Sequence, residues 1–188
     1  MSNIFIISDH HIDHENILTF TLPDGRRMRT FDTLAQMQDA FLTAHNAVVR
    51  PSDKAYFLGD FAIKRAGIAM ARLFNGHKRL IRGNHDIYPT KYYAEVFEEI
   101  YGVRVFADMI LSHIPLHQES IKPRWLANVH GHLHNNQPQG HLGPRYYNVS
   151  AEMLNYAPIA LEDLRVILRR QHEVWQERQA ALEQGVFV

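Results

Sequence analysis

Short, largely apolar runs recur along this chain, and each one leads directly into polar residues. The first run is Ile4 to Ile7, and later ones lie at residues 54–58, 78–81, 109–111 and 126–129. Runs of this length are typical of buried strands, because a buried helix is usually at least about ten residues long. The pattern therefore predicts a sheet whose strands end in polar loops.

Helical spacing separates the first three of these runs. A first helix, ending before Pro51, has its apolar stripe at Leu34, Met37, Phe41, Ala44 and Val48. Asp32 or Thr33 can cap its amino end. Further helices are predicted over residues 62–74 and 92–100. Successive strand–helix–strand units predict right-handed crossovers and a partly parallel sheet covered by helices.

The pattern changes after Gly102, where the predicted strands follow one another closely and few helical patterns intervene. We therefore expect hairpin connections in this half. Helical spacing returns over residues 161–184, with apolar positions at Leu161, Leu164, Leu168, Trp175 and Leu182. The simplest interpretation is an amphipathic helix packed on a single domain that spans residues 1–188. Dimerisation through the far end of this helix is the alternative, so we expect a monomer or a weak homodimer.

Residues 17–31 are predicted to form a small excursion from the core. The turn signal Pro23-Asp24-Gly25 is followed by Arg26, Arg27 and Arg29. One interpretation is a solvated hairpin edge that is protected by charge. The other is that these arginines lie over a site and hold a substrate phosphate.

Composition narrows the classes of protein that this chain can belong to. Lys plus Arg (20) balance Asp plus Glu (20), so charge gives no support to nucleic acid or membrane binding. The absence of cysteine excludes disulfides and thiolate metal sites. The amino terminus has neither a basic leader nor a long apolar segment, and we expect a cytoplasmic protein. The unusual feature is the 13 histidines.

Side chains that bind metals gather where the predicted strands end. Asp9 and His11 alternate around His10, so in an extended segment both point to the same side and can share one ion. The other candidates are Asp60, Asn84, His85, Asp86 and His113, with His132 and His134 in a second alternating pair. Ligands of open α/β sheets bind at the carboxyl ends of the strands, so these residues are expected to converge.

Each motif also has a structural alternative when it is taken alone. Gly83-Asn84-His85-Asp86 has the composition of a polar turn. A zinc site formed by His10 and His14 is disfavoured because the glutamate of the His-Glu-x-x-His motif is missing. Most isolated histidines are satisfied core or surface residues, and we expect this of His45, His77, His117, His141 and His172.

Taken together and in order, these motifs resemble those of the calcineurin-like metallophosphoesterases. The resemblance spans residues 4–150 and rests on Asp9-His10-His11, Gly59-Asp60, Gly83-Asn84-His85-Asp86, Ser112-His113 and Gly131-His132-Leu133-His134. Details at residues 8–16, 148–150 and 155–158 are most similar to the small single-domain bacterial and phage branch. The family's fold is α/β, a layered α-β-β-α sandwich of two mixed sheets flanked by helices.

The resemblance implies two divalent metal ions per chain. Asp9, His11, Asp60 and His134 would hold one ion, and Asp60, Asn84, His113 and His132 the other. Two nearby dications repel each other, which explains the need for a shared carboxylate between them. The mixed oxygen and nitrogen ligands suit manganese, our first choice, and also iron, zinc, nickel or cobalt.

The implied reaction is hydrolysis of a small phosphate ester or nucleotide by in-line attack of a metal-bridging hydroxide. Asn84 would help to hold the phosphate, His85 would protonate the leaving oxygen, and Asp86 would orient His85. His10, His14 and His130 are candidates for supporting roles or structural ones. We expect a phosphodiesterase, acting on a cyclic nucleotide or a nucleic acid end, rather than a monoesterase. The alternative is a non-catalytic metal-binding module on the same fold.

Overall fold

The computed structural model describes residues 2–183, and two β-sheets form its centre. The larger sheet has the strand order β4-β3-β2-β1-β9. Its strands are β1 (Ile4–Ile7), β2 (Lys54–Phe57), β3 (His77–Ile81), β4 (Glu99–Tyr101) and β9 (Ile159–Ala160). The first four are parallel and β9 is antiparallel to β1. The carboxyl ends of four strands therefore lie at one edge.

The smaller sheet is also mixed. It contains β5 (Val103–Phe106), β6 (Met109–Ser112), β7 (Ala127–His130) and β8 (Tyr146–Asn148) in that order. Only β5 and β6 form the predicted antiparallel hairpin, whereas β6, β7 and β8 are parallel. The prediction of hairpins throughout this half was therefore wrong, because long loops of little regular structure connect the parallel strands. The two mixed sheets with flanking helices confirm the predicted fold class.

The helix predictions had mixed outcomes. Helix α1 (Leu34–Val48) is confirmed, and the Thr33 side chain caps it by accepting the Gln36 N–H at 3.2 Å. Residues 62–74 contain a 3-10 helix (Arg65–Leu73) instead of an α-helix. The helix predicted over 92–100 was wrong, because only the short α2 (Thr90–Tyr93) forms before β4. There Glu99 pairs with Arg79 of β3 at 2.7 Å and stabilises the edge strand.

Each face of the larger sheet has its own core. Alternate residues of β1 point to opposite faces, so Phe5 and Ile7 pack toward α1 while Ile6 packs toward the smaller sheet. The last helix, α3 (Leu161–Glu183), buries Leu161, Leu164 and Leu168 in the core between the sheets. This confirms the predicted amphipathic helix, apart from Gln184, which lies outside the described residues.

The far end of α3 exposes apolar surface. Trp175 is 42% exposed and Leu182 is 61% exposed. Dimerisation through this end stays a prediction. Within residues 2–183, no helix has both the length and the apolarity that a membrane span requires.

Candidate metal centre

The predicted ligands converge at the carboxyl ends of the strands of both sheets. They form a first group, Asp9, His11 and His134, and a second group, Asp60, His113 and His132. Within each group, one ligand atom from each residue lies within 4.8 Å of the others. Residues far apart in the chain therefore meet because five strands, β1, β2, β3, β6 and β7, end at the same place.

The first group has the spacing expected around one ion. Nε2 of His11 lies 3.7 Å from Oδ1 of Asp9, and Nε2 of His134 lies 3.8 Å from the same oxygen. Two atoms that each lie about 2.1 Å from a common ion are at most about 4.2 Å apart. A single metal ion can therefore bind these atoms together.

Asp60 lies between the two groups. Its Oδ2 is 3.7 Å from Nε2 of His11 in the first group and 3.2 Å from Nε2 of His113 in the second. The amide oxygen of Asn84 is 2.9 Å from the same nitrogen of His113, which places Asn84 in the second group. The structure thus brings together all the residues that the sequence resemblance placed around two metals. Their role as ligands stays a prediction.

The backbone of this site is unusual. The left-handed φ angles of the predicted ligands are 61° at Asp9, 53° at His11, 51° at Asp60, 70° at His132 and 49° at His134. Residues other than glycine rarely adopt this conformation, which persists only where the surrounding structure enforces it. Such residues concentrate at functional sites. Among residues 2–183, five of the nine non-glycine residues with positive φ are predicted ligands.

Two glycines allow the ligand loops to approach closely. A Cβ atom on Gly131 would overlap the side chains of Ser8 and Asp9, and one on Gly83 would overlap Asp60. The glycine motifs next to the ligands are therefore explained by steric clearance. Any side chain at either position would force the ligand carboxylates to move.

Burial and charge fit divalent cations at these positions. Asp9 Oδ1 and both ring nitrogens of His11 are buried without a hydrogen-bond partner among the described residues. Burial lowers the pKa of His113, but contact with Asp60 and the charge of Asp9 outweigh this effect and raise the pKa to about 9. The site therefore favours added positive charge, and its mixed oxygen and nitrogen donors suit the predicted metals.

The Asp9 carboxyl shows the same electrostatic balance. Burial by itself raises its pKa, but the nearby His11 ring and the charges of His134 and His113 hold the pKa far below its ordinary value. Asp9 is therefore an anion at neutral pH. Its second oxygen, Oδ2, accepts the backbone N–H of His132 at 2.9 Å, which leaves Oδ1 to face the first group.

His85 faces the centre without belonging to either group. Its side chain is 49% exposed, its Nε2 lies 4.0 Å from Oδ2 of Asp60, and its ring centroid lies 5.4 Å from that of His11. This position, open to solvent beside the predicted metals, suits a group that meets substrate.

Asp86 has a different role from the predicted one. Its carboxylate accepts the backbone N–H groups of Asp60 and Gly83, both at 2.8 Å, and of Phe61 at 3.1 Å. Within residues 2–183 it makes no hydrogen bond to the His85 ring, so the prediction that it orients His85 was wrong. Instead, it fastens the loop after β2 to the loop after β3. Burial, together with the charge of Asp60, raises its pKa to about 6.

The neighbouring histidines differ in their surroundings. His10 is fully buried and packs against the rings of Phe41, Phe57, Phe61 and Phe74, so it is a core residue. His130 is buried, with Nδ1 2.9 Å from the carbonyl oxygen of Gly131. His14 lies at the site, where its ring contacts those of His11 and His85.

Two of the three arginines in residues 17–31 fit the interpretation of a charged hairpin edge. Thr21 and Arg27 form an antiparallel bridge, and Arg26 pairs with Asp24 on the surface, as a charged hairpin predicts. Arg29 fits neither interpretation, because its side chain is buried and forms an ion pair with Glu152 at 2.5 Å. Glu152 was missed by sequence reasoning, since it belongs to none of the motifs and follows β8 in a 3-10 helix (Ala151–Leu154).

The chain is similar to known proteins over most of its length. The chain is 33% identical over 171 residues to the uncharacterised protein MJ1445 of Methanocaldococcus jannaschii. This alignment covers 86% of the chain and 89% of MJ1445. A crystal structure of AQ665, a protein of unknown function from Aquifex aeolicus, superposes with a TM-score of 0.72 at 26% identity, covering 89% of this chain and 100% of that one.

A solved structure of a novel archaeal phosphodiesterase is more distant. It has a TM-score of 0.48 at 17% identity, covering 78% of this chain and 82% of that one, and does not bear on the activity of this chain. The calcineurin-like phosphoesterase family model matches residues 2–179. This match includes every residue of both groups, and the chain therefore belongs to the calcineurin-like phosphoesterase family.

Proposed function

We propose that this protein is a dinuclear metal-dependent phosphoesterase that prefers phosphodiesters. The observation that carries the proposal is the position of Asp60, whose Oδ2 lies within 3.7 Å of His11 and 3.2 Å of His113. A carboxylate shared between two buried ligand groups suits two neighbouring ions. Two ions bound there would activate water for in-line attack and neutralise charge on the phosphate oxygens.

The ligand residues would divide as the two groups do. Asp9, His11 and His134 would hold one ion, His113, His132 and Asn84 the other, and Asp60 both. Manganese is our first choice among the divalent ions that such donors bind. The Asn84 amide, beside the second group, can also donate a hydrogen bond to a phosphate oxygen.

His85 is the proposed proton donor to the leaving oxygen. Its ring is solvent-exposed and points toward the bridging carboxylate, so an ester bound at the metals would contact it. Asp86 supports this arrangement indirectly, because it holds the Asp60 and Gly83 backbones in place. We therefore expect Asp86 to contribute by holding the loops after β2 and β3 in the required geometry.

Two features of the site favour diesters over monoesters. A diester carries one negative charge, whereas a monoester dianion carries two. Arg29 was a candidate to bind the additional charge of a monoester, but its own charge is neutralised by Glu152. A diester also has a second organic group to accommodate. Next to His14 lies the ring of Phe20, 43% exposed, with the ring centroids 5.5 Å apart. These rings form an aromatic wall beside the site.

The aromatic wall, defined as His14 and Phe20, is uncharged at neutral pH. Burial lowers the pKa of His14 to about 4, with help from the charges of His11 and His85. A neutral aromatic surface suits a nucleobase or an aryl group. Among residues 2–183, the exposed His85 and both ligand groups are present, which supports an enzyme over a non-catalytic module.

Chelator-stripped protein reloaded with manganese, nickel or zinc provides the test. We expect hydrolysis of bis-p-nitrophenyl phosphate to exceed that of p-nitrophenyl phosphate, with two ions bound per chain by mass spectrometry. Asp60→Asn should lose both metal and activity. His77→Ala is the matched control, because His77 starts β3 at the opposite end of the sheet. A wild-type protein that binds two ions but hydrolyses neither ester would overturn the proposal.

A further inference from the structure

Glu152 contacts the predicted metal ligand His134 on the side of the ring that points away from the first group. Its side chain is 2% exposed, and Oε1 and Oε2 lie 3.1 and 3.3 Å from Nδ1 of His134. The other ring nitrogen of His134, Nε2, faces Asp9 of the first group. An imidazole that donates its Nδ1–H to a carboxylate has a fixed tautomer and orientation, and its free nitrogen binds metal more strongly.

Arg29 extends this contact to a second ligand. Its Nε donates to Oε1 of Glu152 at 2.5 Å, and its terminal nitrogens donate to the backbone carbonyls of His10, at 2.8 Å, and Asp9. The Arg29–Glu152 pair thus connects His134 to the backbone of Asp9. We call this pair the brace. It joins two members of the first group that are distant in the chain.

The brace is an ionised pair. Nε of Arg29 lies 2.5 Å from Oε1 of Glu152, and both side chains are at most 2% exposed. Arginine keeps its charge in proteins, and this contact favours the carboxylate form of Glu152. The carboxylate is available as a strong hydrogen-bond acceptor for the His134 ring.

The second group is supported differently. Nδ1 of His113 lies 2.8 Å from the backbone carbonyl of Leu58, a neutral acceptor. A carbonyl oxygen increases the basicity of an imidazole less than a carboxylate does, because it carries no full charge. His134 of the first group and His113 of the second therefore differ in their electrostatic support.

We propose that Glu152 is a positioning residue that strengthens metal binding at the first group selectively, so that this group fills before the second. The inference rests on the proposed function only in requiring that both groups bind metal. Arg29 contributes by holding the Glu152 carboxylate against His134 and by joining it to Asp9. The brace thereby makes the two metal positions unequal.

Mn²⁺ binding provides the test, measured by equilibrium dialysis of the full-length protein with free Mn²⁺ determined by electron paramagnetic resonance. We expect the wild type to bind two ions with separate affinities. Glu152→Gln should weaken the tighter step by about 10- to 100-fold and leave the other step unchanged. Glu162→Gln, whose side chain is 78% exposed on α3, is the matched control and should change neither step.

Two further backgrounds assign the steps to the groups. His132→Ala damages the second group, and adding Glu152→Gln to this variant should still weaken binding of the remaining ion. His11→Ala damages the first group, and adding Glu152→Gln to that variant should leave binding of the remaining ion unchanged. Equal weakening of both steps, or no change in either, would overturn the inference.

Folding is controlled separately, because Glu152→Gln leaves the buried charge of Arg29 without its partner. The double variant Arg29→Met/Glu152→Gln removes both charges, and circular dichroism would establish that it is folded. This double variant should show the same selective weakening of the tighter Mn²⁺-binding step as Glu152→Gln. If the wild type binds no Mn²⁺, the proposed dinuclear site itself is refuted. If the wild type binds two ions and Glu152→Gln binds them with the same affinities, only the proposed role of the brace is refuted.

Discussion

One carboxylate fixes the position of His85 and also lies at the centre of the ligands. The backbone N–H of His85 donates to Oδ1 of Asp60 at 2.8 Å, while the Nε2 of its side chain lies 4.0 Å from Oδ2 of the same residue. The main chain of His85 is thus fixed relative to the metal ligands, and its ring is left to meet substrate. Because the contact with Asp60 is made by the main chain, the His85 side chain can be replaced without removing this hydrogen bond to a predicted metal ligand.

His85→Ala should therefore lower turnover while both ions stay bound. General acid catalysis contributes about 10²- to 10⁴-fold, and we expect a loss in this range for esters with poorly acidic leaving alcohols. The loss should be much smaller for p-nitrophenyl esters, since nitrophenolate leaves without a proton. The measurement is kcat for an alkyl and a nitrophenyl diester, with metal content determined in parallel. If metal is lost from His85→Ala, the assigned role is wrong.

Gly131→Ala should damage the first ligand group through steric overlap alone. The added methyl group meets the Ser8 and Asp9 side chains, and the backbone at Gly131 does not have positive φ. Overpacking of this kind costs about 1–3 kcal/mol of the free energy of unfolding. We expect loss of at least one of the two ions, measured by mass spectrometry of metal content.

Gly102→Ala is the control for this change. A Cβ at Gly102 has no atom within 4 Å, so the variant should keep both ions and the wild-type stability. Equal metal content in Gly131→Ala and the wild type would contradict the steric explanation of the glycine motif.

The sequence predicted the strands that carry the site because their signals are local. Ile4–Ile7 is an apolar run long enough to identify a strand, and the polar residues that follow it are next to it in the chain. The helix predicted over residues 92–100 failed for a non-local reason. There, pairing of β4 with β3 decides the structure, and its ion pair joins Glu99 to a residue 20 positions away.

The same distinction explains which parts of the site were missed. Arg29 reads as one of several surface arginines, and its buried partner, Glu152, lies 123 residues further along the chain. Likewise, the family resemblance and the logic of general acid catalysis suggested that Asp86 would orient His85, whereas its oxygens bind the backbone of a loop about 25 residues away. Contacts of this kind depend on the tertiary fold and leave no periodic pattern in the sequence.

Phe20→Ala should raise KM for substrates whose second ester group is aromatic. The Phe20 ring, exposed beside His14, offers stacking surface, and loss of one stacked ring weakens binding roughly tenfold. We expect this increase for bis-p-nitrophenyl phosphate and little change for methyl p-nitrophenyl phosphate, with kcat similar for both. Leu73→Ala, a control at an exposed residue just before β3, should alter neither KM. The same rise with both esters would argue against stacking.

The buried carboxyl of Glu152 should make the metal-free protein sensitive to acid. Its pKa is about 2 in the folded protein and 4.5 when unperturbed, so below pH 4.5 the unfolded chain binds a proton that the folded chain does not. The stabilisation is therefore complete above pH 4.5 and is lost as the pH falls toward 2. A shift of this size corresponds to roughly 3 kcal/mol.

Glu152→Gln has no such carboxyl and isolates its contribution. Glu152 also raises the pKa of His134 against the effect of burial, so both proteins compared carry His134→Gln, which removes this second titration. We expect the free energies of unfolding of His134→Gln and His134→Gln/Glu152→Gln, measured with urea in chelator between pH 6 and pH 3, to differ most at pH 6 and to converge as the pH falls. Parallel curves over this range would show that the Glu152 carboxyl is not held ionised by Arg29.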